Sequence, residues 1–199
     1  MKKWIYLVIG LIILWGIFKE KDTVKNFPNE HQTIVAFGDS LTAGYGAPKG
    51  SSYPDYLGQF LGKPIINLGL SGELAVHAPE RLGEVLSYQP YMVLIEFGAN
   101  DFMQQRSTPA AVTAVRQIVE AVQQAGAIAV IVDTGGPGMG DYTKAYKKMA
   151  KEKKALFVPG ILGGIFTKRN LKSDSVHPNA EGYKIVAERV HKVIKRYVK

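Results

Sequence analysis

None of the 199 residues is cysteine, and only two are tryptophan. The first absence excludes a disulfide framework, a thiol nucleophile and a cysteine-ligated zinc site. It leaves the compartment open, since an exported protein can avoid thiols. No cluster of ligands has metal-site spacing, so neither a metal nor any other cofactor is expected. Gly-x-Ser-x-Gly is missing, which removes the nucleophile elbow of the α/β-hydrolases. The glycine-crowded run Thr134-Gly135-Gly136-Pro137-Gly138-Met139-Gly140 lacks the Lys-Ser/Thr ending of a phosphate loop. There is no internal repeat. Aromatics do not interleave the basic stretches, which argues against a nucleic-acid partner.

Long apolar runs are also scarce. Residues 4–18 carry no charge and lie between Lys2-Lys3 and Lys19-Glu20-Lys21-Asp22. A helix of that length spans only about 22 Å, against about 30 Å of hydrocarbon, and suits the apolar region of a signal peptide. No small-x-small cleavage site follows, so an uncleaved signal-anchor is favoured over a removed signal. Lys2 and Lys3 place the N-terminus in the cytoplasm and the domain outside it; cleavage would instead release an exported soluble form. Residues 19–31, charged and containing Pro28, read as a tether. The expected organisation is therefore an anchor and tether over 1–31 and one domain over 32–199.

The net charge of +8 is unevenly spread. Residues 32–140 hold 5 bases and 9 acids, whereas 141–154 hold 6 bases and 2 acids and 184–199 hold 6 bases and 1 acid. Both basic stretches read as helices with solvated faces, or as faces drawn to anionic headgroups.

What the chain does have is alternation. Near-continuous apolar runs at 33–37, 64–68, 92–97, 128–132 and 156–158 suit strands covered on both faces. Between them lie helical patterns. One opens at Thr108-Pro109, with Thr108 as N-cap and Pro109 as first helical residue, and closes at Gly126. The last carries Tyr183, Val186, Ala187, Val190, Val193, Ile194 and Tyr197 on one stripe. The expected fold is α/β, a three-layer α/β/α sandwich of flavodoxin-like type around a parallel sheet of about five strands.

Four segments sit where such a sheet binds ligands, beyond the carboxyl ends of its strands. Gly38-Asp39-Ser40-Leu41-Thr42-Ala43-Gly44 follows the first strand, and Ser40 is either a nucleophile or a turn and N-cap serine. Ile66-Asn67-Leu68-Gly69-Leu70-Ser71-Gly72 follows the second, where Gly69 could offer its N–H to an oxyanion or simply make a turn. Glu96-Phe97-Gly98-Ala99-Asn100-Asp101 follows the third. There Asn100 could donate to the same oxyanion, and Asp101 could form a local turn. Near the end come Asp174 and His177, three apart, close enough for one turn to hold the carboxylate against Nδ1 and leave Nε2 free. Of the four histidines only His177 has an acid three residues ahead of it within a loop; His31 is in the tether, His191 lies in the basic helix, and His77 is a weaker candidate.

In this order the four segments resemble the SGNH hydrolase (GDSL esterase/lipase) superfamily over residues 33–198. The opening Gly-Asp-Ser-Leu-Thr-Ala-Gly-Tyr-Gly is most similar to the bacterial exported thioesterase/lysophospholipase/arylesterase branch. That branch's Ser-Gly-Asp-Thr reads Ser71-Gly72-Glu73-Leu74 here. The resemblance implies Ser40 as nucleophile, His177 as base and Asp174 as its orienting acid. It further implies an oxyanion hole from Ser40 N–H, Gly69 N–H and the Asn100 amide. The implied activity is cleavage of a carboxylic ester, thioester or lysophospholipid through an acyl-enzyme, by a monomer with no cofactor. A carbohydrate O-deacetylase, or a non-catalytic binding module on the same fold, are the alternatives. Phe102, Met103, Ile161, Leu162, Ile165 and Phe166 are the apolar residues expected beside the acyl group.

Overall fold

The computed structural model describes residues 23–198. The expected signal-anchor over residues 4–18 therefore lies outside the described residues. Among the described residues no helix is long and apolar enough to cross a membrane.

Five strands form one sheet: β1 (Thr33–Gly38), β2 (Ile65–Gly69), β3 (Pro90–Glu96), β4 (Ile128–Val132) and β5 (Leu156–Val158). Their order is β2-β1-β3-β4-β5 and every pairing is parallel. The alternating direction of strand side chains divides the core in two. Val35, Phe37, Val93, Ile95, Ala129 and Ile131 meet helices α3 (Leu82–Ser87), α5 (Thr108–Gln124) and α6 (Gly140–Lys153). Ile34, Ala36, Met92, Leu94, Val130 and Val132 meet α2 (Tyr53–Leu61) and α7 (Ala180–Ile194). Two short helices, α1 (Ser40–Ala43) and α4 (Ala99–Met103), cap the carboxyl ends of β1 and β3. The result is the expected three-layer sandwich. Because β1 lies between β2 and β3, its carboxyl end is a topological switch point, where a crevice opens.

One boundary differs. Ser107, not Thr108, is the N-cap of α5, because the N–H groups of Ala110 and Ala111 already donate to the Ser107 carbonyl.

The tether reading also needs correction over its described part. Residues 24–29 dock against the amino ends of the strands. Asn26 Nδ2 donates to the carbonyls of Gln123 (2.8 Å) and Ala127 (2.9 Å), and Asn29 Nδ2 reaches those of Tyr91 and Gly126 (3.2 Å each). Lys25 N–H donates to the Lys154 carbonyl at 2.9 Å, and the Phe27 ring meets Tyr197 edge-on at 5.1 Å. Two asparagine amides satisfy carbonyls that strand and helix ends leave open, which a composition reading of this charged segment does not register.

Candidate active site

Ser40 is the first residue of α1, directly after β1. Asp39 caps that helix by accepting from Leu41 N–H at 3.0 Å. As the first helical residue, Ser40 keeps its own N–H out of the intrahelical ladder. Its hydroxyl Oγ lies 3.0 Å from Nε2 of His177. The other ring nitrogen, Nδ1, lies 2.7 Å from Asp174 Oδ2. Asp174 Oδ1 accepts from Val176 N–H and His177 N–H, both at 2.8 Å. Partial burial raises the Asp174 carboxyl. The donors from His177 backbone and ring and from Val176 outweigh this and bring it down to about 2. An ionised acceptor on Nδ1 keeps the ring proton there and leaves Nε2 able to accept from the serine. Tyr45 lies beside the imidazole, ring centroids 4.6 Å apart.

Beneath Ser40 lies a second acidic group that sequence reasoning did not single out. Asp39 and Glu96 are both fully buried and touch each other through their carboxyls. Glu96 accepts hydroxyl hydrogen bonds from Thr42 (3.1 Å) and Thr134 (3.1 Å). Burial pushes both carboxyls up; the Glu96 charge adds to the rise at Asp39, while hydroxyl and backbone donors oppose it at Glu96. The donor set therefore favours the shared proton on Asp39 and the charge on Glu96. The one available signal was an acid closing an otherwise apolar strand.

Asn100 joins this layer to the glycine block. Its Nδ2 donates to Asp39 Oδ2 at 3.1 Å and to the Glu73 carbonyl at 3.0 Å. Gly69 does not offer a free donor: its N–H is taken by Asn67 Oδ1 at 2.9 Å. What Gly69 provides is room, since a Cβ there would stand 2.1 Å from the Ala43 backbone nitrogen. Two amides of this loop, those of Ser71 and Gly72, have no partner among the described residues, and Gly72 sits at φ +83 with open space where a Cβ would be. Asp101 is more than a local turn former, because its buried Oδ2 accepts from Ala75 N–H at 2.8 Å and ties the glycine block to α4. His77, 63% exposed in its side chain, pairs with Glu80 at 3.9 Å and makes no contact with Ser40, Asp174 or His177 among the described residues.

Residues 36–185 match the GDSL-like Lipase/Acylhydrolase family. The chain belongs to that family. It is 26% identical over 166 residues to thioesterase 1/protease 1/lysophospholipase L1 of Escherichia coli (strain K12), covering 78% of this chain and 80% of that protein. It is 27% identical over 172 residues to an arylesterase of Vibrio mimicus, covering 79% and 85% respectively. The crystal structure of the psychrotrophic esterase EstA from Pseudoalteromonas sp. superposes with a TM-score of 0.75 at 26% identity, covering 84% of this chain and 98% of that one. The GDSL hydrolase is thus a carboxylic ester hydrolase.

Two further features belong to this particular GDSL hydrolase. Where its branch has an aspartate, Glu73 is buried and pairs with Arg81 at 2.7 Å; Arg81 also donates to the Leu68 carbonyl at 3.0 Å. Burial raises the Glu73 carboxyl and the guanidinium opposes that rise. The longer acid therefore reaches a base that pins the Gly72 loop. The second feature is an apolar cavity of about 230 Å³ opening beside Ser40 and His177. Phe102, Met103, Leu162 and Phe166 line it as expected, joined by Met139 and Val176. Ile161 and Ile165, also expected there, are instead buried in the core on the α7 side of the sheet.

Proposed function

We propose that this GDSL hydrolase transfers a medium-length acyl group from an ester or thioester to water. The supporting observation is the 3.0 Å contact from Ser40 Oγ to His177 Nε2 at the mouth of an apolar cavity. Ser40 attacks the carbonyl carbon while Nε2 takes its proton, and Asp174 steadies the resulting imidazolium. The oxyanion is held by the N–H groups of Ser40 and Gly72 and by Asn100 Nδ2. Gly72 replaces Gly69 in that set because the Gly69 N–H is taken by Asn67, whereas the Gly72 N–H has no partner among the described residues and no side chain to obstruct it. Asn100 has both hydrogens engaged, so it must release one acceptor as the oxyanion forms. Neutral Asp39 is the weaker of its two acceptors and the one to yield. Protonated His177 then passes its proton to the leaving group, and water attacks the acyl-enzyme by the same route.

A volume of 230 Å³ holds about seven or eight groups at about 30 Å³ each, which suits an acyl chain of that order. Apolar lining disfavours an acetylated sugar. The catalytic domain is assigned to the outside of the cytoplasm, held by residues 4–18 or released when they are removed.

The test is turnover of p-nitrophenyl acetate, butyrate, octanoate and palmitate by the full chain and by Ser40→Ala. The expected profile peaks at butyrate to octanoate and vanishes in the variant. Acetate alone would move the reading to deacetylation. Ser40-independent turnover would remove the serine from the chemistry.

A further inference from the structure

A groove of about 520 Å³ lies at the opposite end of the sheet from Ser40, where α6 ends and β5 begins. Lys147, Lys151, Lys154 and Arg196 line it. Its floor is apolar, with half-buried Phe157 and Val193 among its lining residues. The three lysines follow i, i+4, i+7 spacing and so share one stripe of α6 and its C-cap. Other lysines of the same helix have acidic partners: Lys144 with Asp141 (3.6 Å), Lys148 with Glu152 (3.8 Å) and Lys153 with Glu120 (2.6 Å). None of the four groove bases makes an ion pair among the described residues. The helix thus sorts its bases, pairing those that face away and leaving unpaired those that face the groove. A merely solvated face has no reason to be sorted this way.

Thr23 and Val24 form part of the same groove. Only residues 19–22 separate Thr23 from the uncharged run at 4–18, and the five steps from residue 18 to residue 23 reach at most about 18 Å. Whatever surface that run enters, the groove stays beside it. Two independent observations, sorted charge and chain connectivity, therefore coincide.

We propose that this basic groove seats the enzyme on a bilayer bearing anionic headgroups. Lys147, Lys151, Lys154 and Arg196 face the phosphates, and the apolar floor meets the glycerol level. The carboxyl ends of the strands, and Ser40 with them, then point away from that bilayer. The six residues of β1 at about 3.3 Å each span roughly 20 Å, which sets the height of the site above the headgroups. Substrate reaches it from the aqueous side rather than laterally from the same leaflet. This seating is independent of the acyl chemistry proposed above.

Residue-resolved amine acetylation of the full chain tests it, on vesicles of phosphatidylcholine alone or with phosphatidylglycerol. On the anionic vesicles Lys147, Lys151 and Lys154 should be modified several-fold more slowly than on the neutral ones. Lys168 and Lys184, near the active-site end, should react equally on both, and high salt should abolish the difference. In the exposed double variant Lys147→Gln/Lys151→Gln, Lys154 should regain its neutral-vesicle rate while hydrolysis of a soluble ester stays unchanged. Equal rates on both vesicles would overturn the proposal. So would equal protection by inorganic pyrophosphate without vesicles, which would make the groove a soluble-anion site.

Discussion

Ser40 is flanked by acids on two sides, and the two sides are built on opposite principles. Asp174, beside His177, keeps 42% of its side chain exposed and is surrounded by donors, so it stays ionised well into acid. Asp39 and Glu96, beneath the nucleophile, are sealed from water and pushed up by burial, so the pair retains a proton. A charge that must steady a transient imidazolium gains from being permanent. A pair that must hold α1 and Asn100 in place inside the sheet gains from being nearly neutral, because a second buried charge is expensive without a counter-ion. Proximity to the nucleophile alone therefore does not tell a catalytic carboxylate from a positioning one; solvent and donors do.

Removing the charge on the exposed side should have the largest effect. Asp174→Asn is expected to lower kcat by up to about 10⁴-fold, the scale seen when a triad acid becomes an amide. The urea midpoint at pH 7 should move little, since the carboxylate is half in water. A larger kinetic loss from Glu96→Gln than from Asp174→Asn would invert the assignment.

Asn100 bridges the two sides, and Asn100→Ala sharpens the comparison. Loss of one oxyanion donor is worth about 2.7–4 kcal/mol, or about 10²–10³ in kcat. Steady-state kinetics should show that loss in kcat rather than in KM, with circular dichroism unchanged. Near-normal turnover would leave Asn100 as a strut between Asp39 and the Glu73 carbonyl.

The smallest kinetic effect, and the clearest signature in pH, belongs to the buried pair. An acid raised on folding contributes most below its unfolded value of about 4, and that contribution falls as pH rises towards the folded value. A lowered acid does the reverse, so Asp174 stabilises above about 4 and loses its contribution as pH falls towards about 2. Glu96→Gln should therefore flatten the decline in stability from weakly acid to neutral pH while leaving the acid limb in place. Urea midpoints from about pH 2 to about pH 7 measure both limbs. An unchanged slope would mean that the pair does not share a proton.

Much of this architecture was legible before any coordinates. The five strands fall within two residues of the apolar runs, because burial on both faces leaves an unbroken hydrophobic signature. Ser40, Asp174 and His177 stood out through local spacing and position after strands. Gly69 shows where that reasoning stops. It could have been the donor in its block or a turn glycine, yet Asn67, two residues back, folds onto its N–H, and the amides free among the described residues are those of Ser71 and Gly72. Glu96 looked like the end of a strand, and Ile161 and Ile165 looked like loop residues near a substrate. Residues 24–29 looked like a charged tether, although their asparagines lock onto open carbonyls.

Sequence by itself determined the period of each element, the alternation of strands and helices along the chain and the three-residue link between Asp174 and His177. Those depend on contacts within one strand, one helix or one turn. Only the tertiary structure decided which amide stays free, which carboxyl keeps its proton and which lysines go unpaired. Each of these depends on what distant segments bring within hydrogen-bonding reach and on how much water they exclude.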